Sequence, residues 1–392
     1  MTVPPKTRPF APPASAKGAP EPRDQSAAAG SGEPAAPFDG QPVEHLRQVL
    51  AQASERKPGR RLLVLTHRSP DPDGLGACEG MRFLCGERFG HAVDVATVGR
   101  IHRAENLAMV RALELDLLDY NQLDLTGYFG VVLVDSQPQF GHTVVPDELP
   151  MLAVFDHHVP PDSGAALEVP HQDVRLGVGA SSSIVFEYLR DAGGEFDPKT
   201  ASALFCGVRY DTADLSRNGS PLDEEAYFET FRRCDRNAIA QIAHPSLPRD
   251  YYTDLHAALA VARQYGSLVI ALLSRVSHPE FVAEMADFFL RMKGCSWVLV
   301  GGAYQENGTG SYVLSLRTDY SFGHAYPLMK RILDGKGSFG GHGHIAGGRI
   351  PLDDLGESTI ACVERELRKN ALAILGNGEE DGGLPLDGRE LT

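Results

Sequence analysis

Residues 62–76 read LLVLTHRSPDPDGLG, and this stretch constrains the fold more than any other. The apolar run 62–65 predicts a short buried strand. The chain then breaks into a loop carrying His67, Asp71 and Asp73, followed by Gly74, Gly76 and a helical segment over 75–89. One imidazole and two carboxylates at H-x3-D-x-D spacing suit a hard or borderline divalent ion. The plainer alternative is that Asp71 and Asp73 cap the helix beside a surface histidine, ordinary chemistry near proline and glycine.

Two further apolar runs weigh on that choice. The run 129–134 ends in Asp135-Ser136, and 151–155 ends in Asp156-His157-His158. Helical patterns over 43–53 and 104–118 and an alternating strand over 91–97 surround these runs. Strands alternating with helices predict an α/β fold with a parallel sheet, whose ligands collect beyond the carboxyl ends of the strands. Three strand ends that each deliver Asp or His therefore favour a metal site over scattered caps.

The Ser-rich start of GASSSIVFEYL (179–189) offers an anion site or simple N-capping by Ser181 or Ser182. A helix over 201–210 ends in Asp211-Thr212, and 223–265 reads as helical throughout, its later part a linker. Beyond it come a strand over 267–273, a helix over 280–292, strands over 297–304 and 311–316, and a helix over 326–333. GKGSFGGHGHIAGG (335–348) sets seven glycines around two histidines, either a flexible loop or backbone held against a ligand. A last helix covers 357–375. The organisation expected is a disordered Pro/Ala-rich segment (1–40), a catalytic domain (41–244), a helical linker (245–265), a smaller α/β substrate domain (266–375) and a disordered acidic tail (376–392).

The formal charge of −15 disfavours a protein that grips long nucleic acid by its backbone. No apolar run approaches the ~20 residues of a membrane helix, and no signal-peptide pattern opens the chain. Six scattered cysteines without paired spacing read as buried thiols of a cytoplasmic protein. Phosphate-loop, nucleophile-elbow and HExxH motifs are missing from the sequence.

Taken together, HRSPDPDG (67–74), VDS (134–136), DHH (156–158), YDT (210–212) and FGGHGHIAGG (339–348) resemble the motifs of the DHH phosphoesterase superfamily, in its DHH–DHHA1 branch. The resemblance covers about residues 41–375 and implies two divalent ions, usually manganese. His67 and Asp71 would hold one; Asp73, His157 and Asp211 the other; Asp135 would bridge them. His158 resembles the histidine that contacts the scissile phosphate, and Asp156 is expected to orient His157. Arg317, Gly340, Gly341 and His342 resemble a substrate clamp. The chain departs from the family's GGGH loop, with Phe339 at the first glycine and an added His344.

The activity implied is metal-dependent hydrolysis of short oligonucleotides or 3′-phosphoadenosine-5′-phosphate, with Asp135 and His158 as catalytic groups. Turnover of cyclic or linear dinucleotide messengers is a close variant. A non-catalytic nucleotide-binding regulator is the alternative from another class, set against a complete ligand set. No long nucleic acid and no membrane is expected as partner; a homodimer is compatible with the sequence.

Overall fold

The structure is a computed structural model. It describes residues 42–375, apart from 100, 102, 141–142, 160–167, 218, 307 and 320–323, together with 384–385. The expected disordered segment 1–40 lies outside the described residues.

The first lobe runs α1 (Pro42–Arg56), β1 (Arg61–Leu65), α2 (Pro72–Phe83), β2 (Val93–Thr97), α3 (Ala104–Ala112), β3 (Leu118–Asp119), β4 (Tyr128–Val134), β5 (Met151–Asp156), β6 (His171–Val174), α4 (Ser181–Asp191), α5 (Pro198–Asp211), α6 (Pro221–Arg233) and α7 (Arg236–Ala243). Its six strands are all parallel, in the order β3-β2-β1-β4-β5-β6. Strand periodicity sorts the side chains: Leu62 and Val64 enter one core with Val132 and Phe155, while Leu63 and Leu65 enter the other with Val131 and Val154. Covered on both faces, β1 and β4 read as unbroken apolar runs, each buried Leu or Val contributing about 1.5–3 kcal/mol. The parallel α/β architecture expected from the sequence is what forms.

The second lobe runs α8 (Arg249–Val261), β7 (Arg263–Tyr265), β8 (Leu268–Leu273), α9 (Glu280–Leu290), β9 (Trp297–Glu306), β10 (Thr309–Thr318), α10 (Ala325–Leu333), β11 (Ser338–His342), β12 (Ile345–Leu352), α11 (Glu357–Leu375) and β13 (Leu384–Pro385). Its seven-stranded sheet has the order β11-β12-β10-β9-β8-β7-β13 and is antiparallel except for β8–β9. Along β10, Tyr312, Leu314 and Leu316 join a core with residues of α10 and α11, whereas Val313 joins one with residues of α9.

Several expectations need correcting. The stretch 245–265 is helical as expected over Arg249–Val261, but Ala258 of that helix packs with Val269 and Phe281, and 263–265 are a strand of the second sheet. The glycine-rich stretch is no loop, because β11 and β12 form a hairpin whose second strand pairs with β10 from Ile345 to Leu352. Pairing with a neighbour outweighs the poor strand propensity of glycine. The helix expected over 104–118 stops at Ala112, and Glu114 follows in the left-handed region. Within the expected disordered tail, Leu384 and Pro385 pair with β7, and the rest lies outside the described residues. Five cysteines are buried, but Cys362 on α11 is exposed. Among the described residues, no helix is long and apolar enough to cross a membrane.

Candidate metal centre

The strands β1, β4 and β5 are neighbours in the parallel sheet, and their carboxyl ends deliver the site. His67 follows β1 by two residues, Asp135 follows β4 directly, and Asp156, the last residue of β5, leads into His157 and His158. Asp71 and Asp73 arrive at the amino end of α2, and Asp211 closes α5. The capping reading of the opening motif holds for Asp71, whose Oδ1 accepts from Asp73 and Gly74 N–H at 3.0 and 3.1 Å as the helix N-cap.

Beside the trio Asp135, His157 and His158, two further groups of donors form around Asp135. His67, Asp71 and Asp135 make one, with His67 Nε2 3.4 Å from Asp135 Oδ2 and 3.9 Å from Asp71 Oδ1. Asp73, His157 and Asp211 make the other, with His157 Nε2 3.1 Å from Asp211 Oδ2, 3.8 Å from Asp73 Oδ2 and 3.7 Å from Asp135 Oδ1. The two oxygens of Asp135 thus face different groups. Asp135 also holds φ +53°, a strained conformation for a non-glycine residue of the kind that functional sites retain. Gly74 makes the crowding possible: a Cβ there would lie 2.8 Å from Thr66 Oγ1 and 3.3 Å from His67 Nε2.

Surrounding groups fix these side chains. Ser181 and Ser182 N–H, at the start of α4, donate to the two oxygens of Asp73 at 2.6 and 2.8 Å. Ser181 Oγ donates to Asp135 Oδ1 at 2.9 Å. The Ser-rich helix start therefore receives an anion, but an internal one, and its N-cap is Ala180 rather than either serine. Arg217 Nε and Nη2 donate to the Asp211 carbonyl at 3.0 and 2.7 Å. Gln137 Nε2 donates to Asp156 Oδ2 and to the His158 carbonyl at 2.6 and 2.9 Å. Asp156 does not orient His157 as expected; its Oδ1 accepts from His158 Nδ1 at 2.9 Å. Residues two apart leave a strand on the same side, so Asp156 meets His158. His157 Nδ1 donates instead to the Val178 carbonyl at 3.3 Å.

Crowded carboxylates set the electrostatics. Burial raises Asp73 well above the usual carboxylate range, and the charges of Asp135 and Asp211 add to it. Asp211 is raised by burial and by Asp71. Burial would also raise Asp71, but the His67 imidazole, the Gly74 N–H and the charge of His158 together outweigh it and lower Asp71 to about 2. Burial would lower the histidines, yet Asp135 and Asp71 carry His67 well above its ordinary value, and Asp211 with Asp73 carries His157 to about 10. For His158 the hydrogen bond to Asp156 and the charge of Asp135 prevail over burial, and it too is raised.

This donor set fits divalent cations. His157 Nε2 is buried and, among the described residues, makes no aligned hydrogen bond although carboxylate oxygens surround it. A ring nitrogen whose partner nitrogen is engaged by a carbonyl is oriented as a metal ligand is. Nitrogen and oxygen donors without thiolate suit Mn, Mg or Co.

Of the other expected residues, Arg317 stands on β10, Gly340 and Gly341 on β11, and His342 ends β11 with a side chain outside the described part of the structure. Arg317, Gly340 and Gly341 are not among the residues of the described carboxylate cluster. A link runs through the β11–β12 turn, where burial and the charges of Arg217 and Arg317 lower His344. Sequence reading missed Gln137, Arg217 and Arg103. The last stacks over the Tyr210 ring at 5.3 Å and bonds its hydroxyl, directly before Asp211. Nothing in their spacing distinguishes them from surface residues.

No protein-family model matches the chain. An uncharacterised protein of Methanocaldococcus jannaschii, MJ1633, is 30% identical over 346 residues, spanning 86% of this chain and 68% of its own length. Among solved structures, an exopolyphosphatase-related protein from Bacteroides fragilis superposes with a TM-score of 0.64 at 15% identity, covering 84% of this chain and 97% of the other. RecJ from Thermus thermophilus, solved in complex with Mn2+, gives a TM-score of 0.46 at 14% identity over 83% of this chain and 54% of its own. The chain belongs to one family with MJ1633 and shares the two-sheet fold of the exopolyphosphatase-related protein, while its motifs resemble those of the DHH phosphoesterase superfamily.

Proposed function

We propose that this chain is a phosphoesterase that hydrolyses short oligonucleotides or 3′-phosphoadenosine-5′-phosphate, with two divalent ions, manganese foremost, as cofactors. The observation that carries the reading is Asp135, whose Oδ2 faces His67 and whose Oδ1 faces His157. His67, Asp71 and Asp135 would hold one ion, and Asp73, His157, Asp211 and Asp135 the other. Bound there, the ions would acidify a water and neutralise charge on phosphoryl oxygens.

The chain supplies the rest. Asp156, itself fixed by Gln137, holds the Nδ1 proton of His158 and so orients the ring. The hydrogen bond to Asp156 and the charge of Asp135 raise the His158 pKa, and the ring so held could donate from Nε2 to a phosphoryl oxygen or to the leaving group. Ser181 and the amide N–H groups of α4 keep Asp73 and Asp135 in place. Arg317, Gly340, Gly341 and His342 would hold the far end of the substrate. A clamp at a fixed distance from the cutting site selects short substrates, and the charge of −15 points the same way.

Hydrolysis by Mn-loaded protein across one panel tests this: short 5′-phosphorylated oligomers, a long single strand, 3′-phosphoadenosine-5′-phosphate, a cyclic dinucleotide and pyrophosphate. The fastest turnover is expected on the shortest oligomers or the phosphorylated nucleotide. Preference for the long strand or pyrophosphate would overturn the reading, and preference for the cyclic dinucleotide would move the protein to messenger turnover.

A further inference from the structure

The guanidinium that the proposed function assigns to a terminal phosphate already faces an internal anion. Arg317 Nε donates to Asp287 Oδ1 at 2.7 Å. The arginine side chain is 11% exposed and the aspartate 48%, so Asp287 is the partner that solvent reaches. Asp287 belongs to an acidic row on α9, where Glu280, Glu284 and Asp287 recur at helical spacing on one face. The first lobe feels this row. Arg103 lies within electrostatic reach of Glu284 and Asp287, and so does Tyr210 of Asp287. Asp287 thus has an arginine of each lobe in its surroundings, beside the residue that precedes Asp211.

A carboxylate and a phosphate group offer a guanidinium the same thing, oxygen acceptors for its fork of N–H donors. They differ in charge. A phosphomonoester carries about −1.5 to −2 at neutral pH. An internal phosphodiester carries a single charge, as an aspartate does. Exchanging Asp287 for a diester therefore gains Arg317 nothing, whereas exchanging it for a monoester adds charge to the contact.

Resting on the phosphoesterase reading above, we propose that Asp287 is a specificity-determining residue, a built-in competitor that lets Arg317 accept a terminal phosphomonoester and refuse an internal phosphodiester. Such a filter excludes strands that would thread past the clamp, because only a chain end carries the dianion. It acts by competition, so its removal widens the substrate range.

The test compares two dinucleotides that differ only at the 5′ end, one with a phosphate and one with a methyl phosphate diester. Calorimetric affinities for both are measured on wild-type, Asp287→Asn and Asp287→Glu proteins, with hydrolysis followed in parallel. Wild type should prefer the phosphate. In Asp287→Asn the methyl phosphate ligand should bind about tenfold tighter, since one charged hydrogen bond no longer competes, and the phosphate ligand should tighten by as much, because both displace the same carboxylate. Tighter binding is not what a damaged fold produces, and Asp287→Glu should return both affinities to those of wild type. Unchanged affinity for the methyl phosphate ligand in Asp287→Asn overturns the proposal even if hydrolysis proceeds. The expected affinities without any hydrolysis would keep the filter and remove the phosphoesterase reading. Failure of wild type to bind either ligand overturns both.

Discussion

The two lobes hold their candidate functional groups in opposite ways. In the first, the carboxylates and imidazoles are packed among one another and each is fixed by a further group: Asp73 by two backbone N–H groups, Asp135 by Ser181, His158 by Asp156. In the second, the face expected to meet substrate is strand backbone. Gly340 pairs with Gly347, and a Cβ on Gly340 would meet none of the described residues within 4 Å. Chemistry that needs charges at fixed separations is built from buried side chains with support around them. A surface that holds the far end of a ligand can be glycine backbone, with one arginine as its anchor.

The comparison breaks first if the crowded carboxylates serve the fold rather than a metal. Asp135→Asn should lower hydrolysis about a thousandfold, equivalent to about 4 kcal/mol of transition-state stabilisation. Without metal its melting temperature should match or exceed that of wild type, because a buried like charge is gone. A variant that loses activity only by unfolding would contradict this.

Acid should act on the first lobe through a different buried group. His171 lies in the core, with Nδ1 2.9 Å from His45 Nδ1 and Nε2 2.8 Å from the Tyr188 hydroxyl. Burial and then the neighbouring His45 lower it to about 4. Between its ordinary value of about 6.5 and 4 the unfolded chain binds the extra proton, so stability is full above pH 6.5 and falls as pH drops. The loss should reach about 3 kcal/mol. Urea unfolding at stepped pH should show this slope in wild type and a flatter one in His171→Gln.

Ser181→Ala sharpens the point about support, since it touches no metal directly. Freeing Asp135 from the serine hydroxyl should cost about 10- to 100-fold in metal affinity or activity. Unchanged metal binding and rate would make the serine a mere packing residue.

The smallest effects separate two adjacent glycines of the second lobe. Gly341 has φ +141°, and a Cβ there would lie 2.3 Å from the Ile345 carbonyl oxygen, so Gly341→Ala should cost about 1–3 kcal/mol of stability. Gly340→Val should leave the melting temperature nearly unchanged while raising KM about tenfold with kcat preserved, one charged contact being shifted. Equal behaviour of the two variants would remove the distinction between fold and substrate face.

These residues also show what the sequence made legible. The apolar runs of β1, β4 and β5 end in His67, Asp135 and Asp156-His157-His158, and a parallel sheet must gather such ends in one place. His67, Asp71, Asp73, Asp135 and His157 were therefore legible as candidates from the chain alone, whereas Asp211, at the end of a helix, and the division into two ions came with the resemblance to the DHH motifs. The partner of Asp156 was not, because it depends on how the chain leaves β5. Strand β6 escaped notice since HQDV is polar; His171 and Asp173 are buried there with Tyr188, whose hydroxyl bonds both. The β11–β12 hairpin was hidden because glycine carries no strand pattern and its register is fixed by β10. Asp287 could not be found either, as its meaning lies in a contact between α9 and β10.

Counting bound manganese tests the central claim most directly. Equilibrium dialysis of the metal-stripped protein should return two Mn2+ per chain, and Asp135→Asn should fail to hold the pair. A stoichiometry of one in wild type, or two ions retained in Asp135→Asn, would contradict a shared two-ion site centred on Asp135.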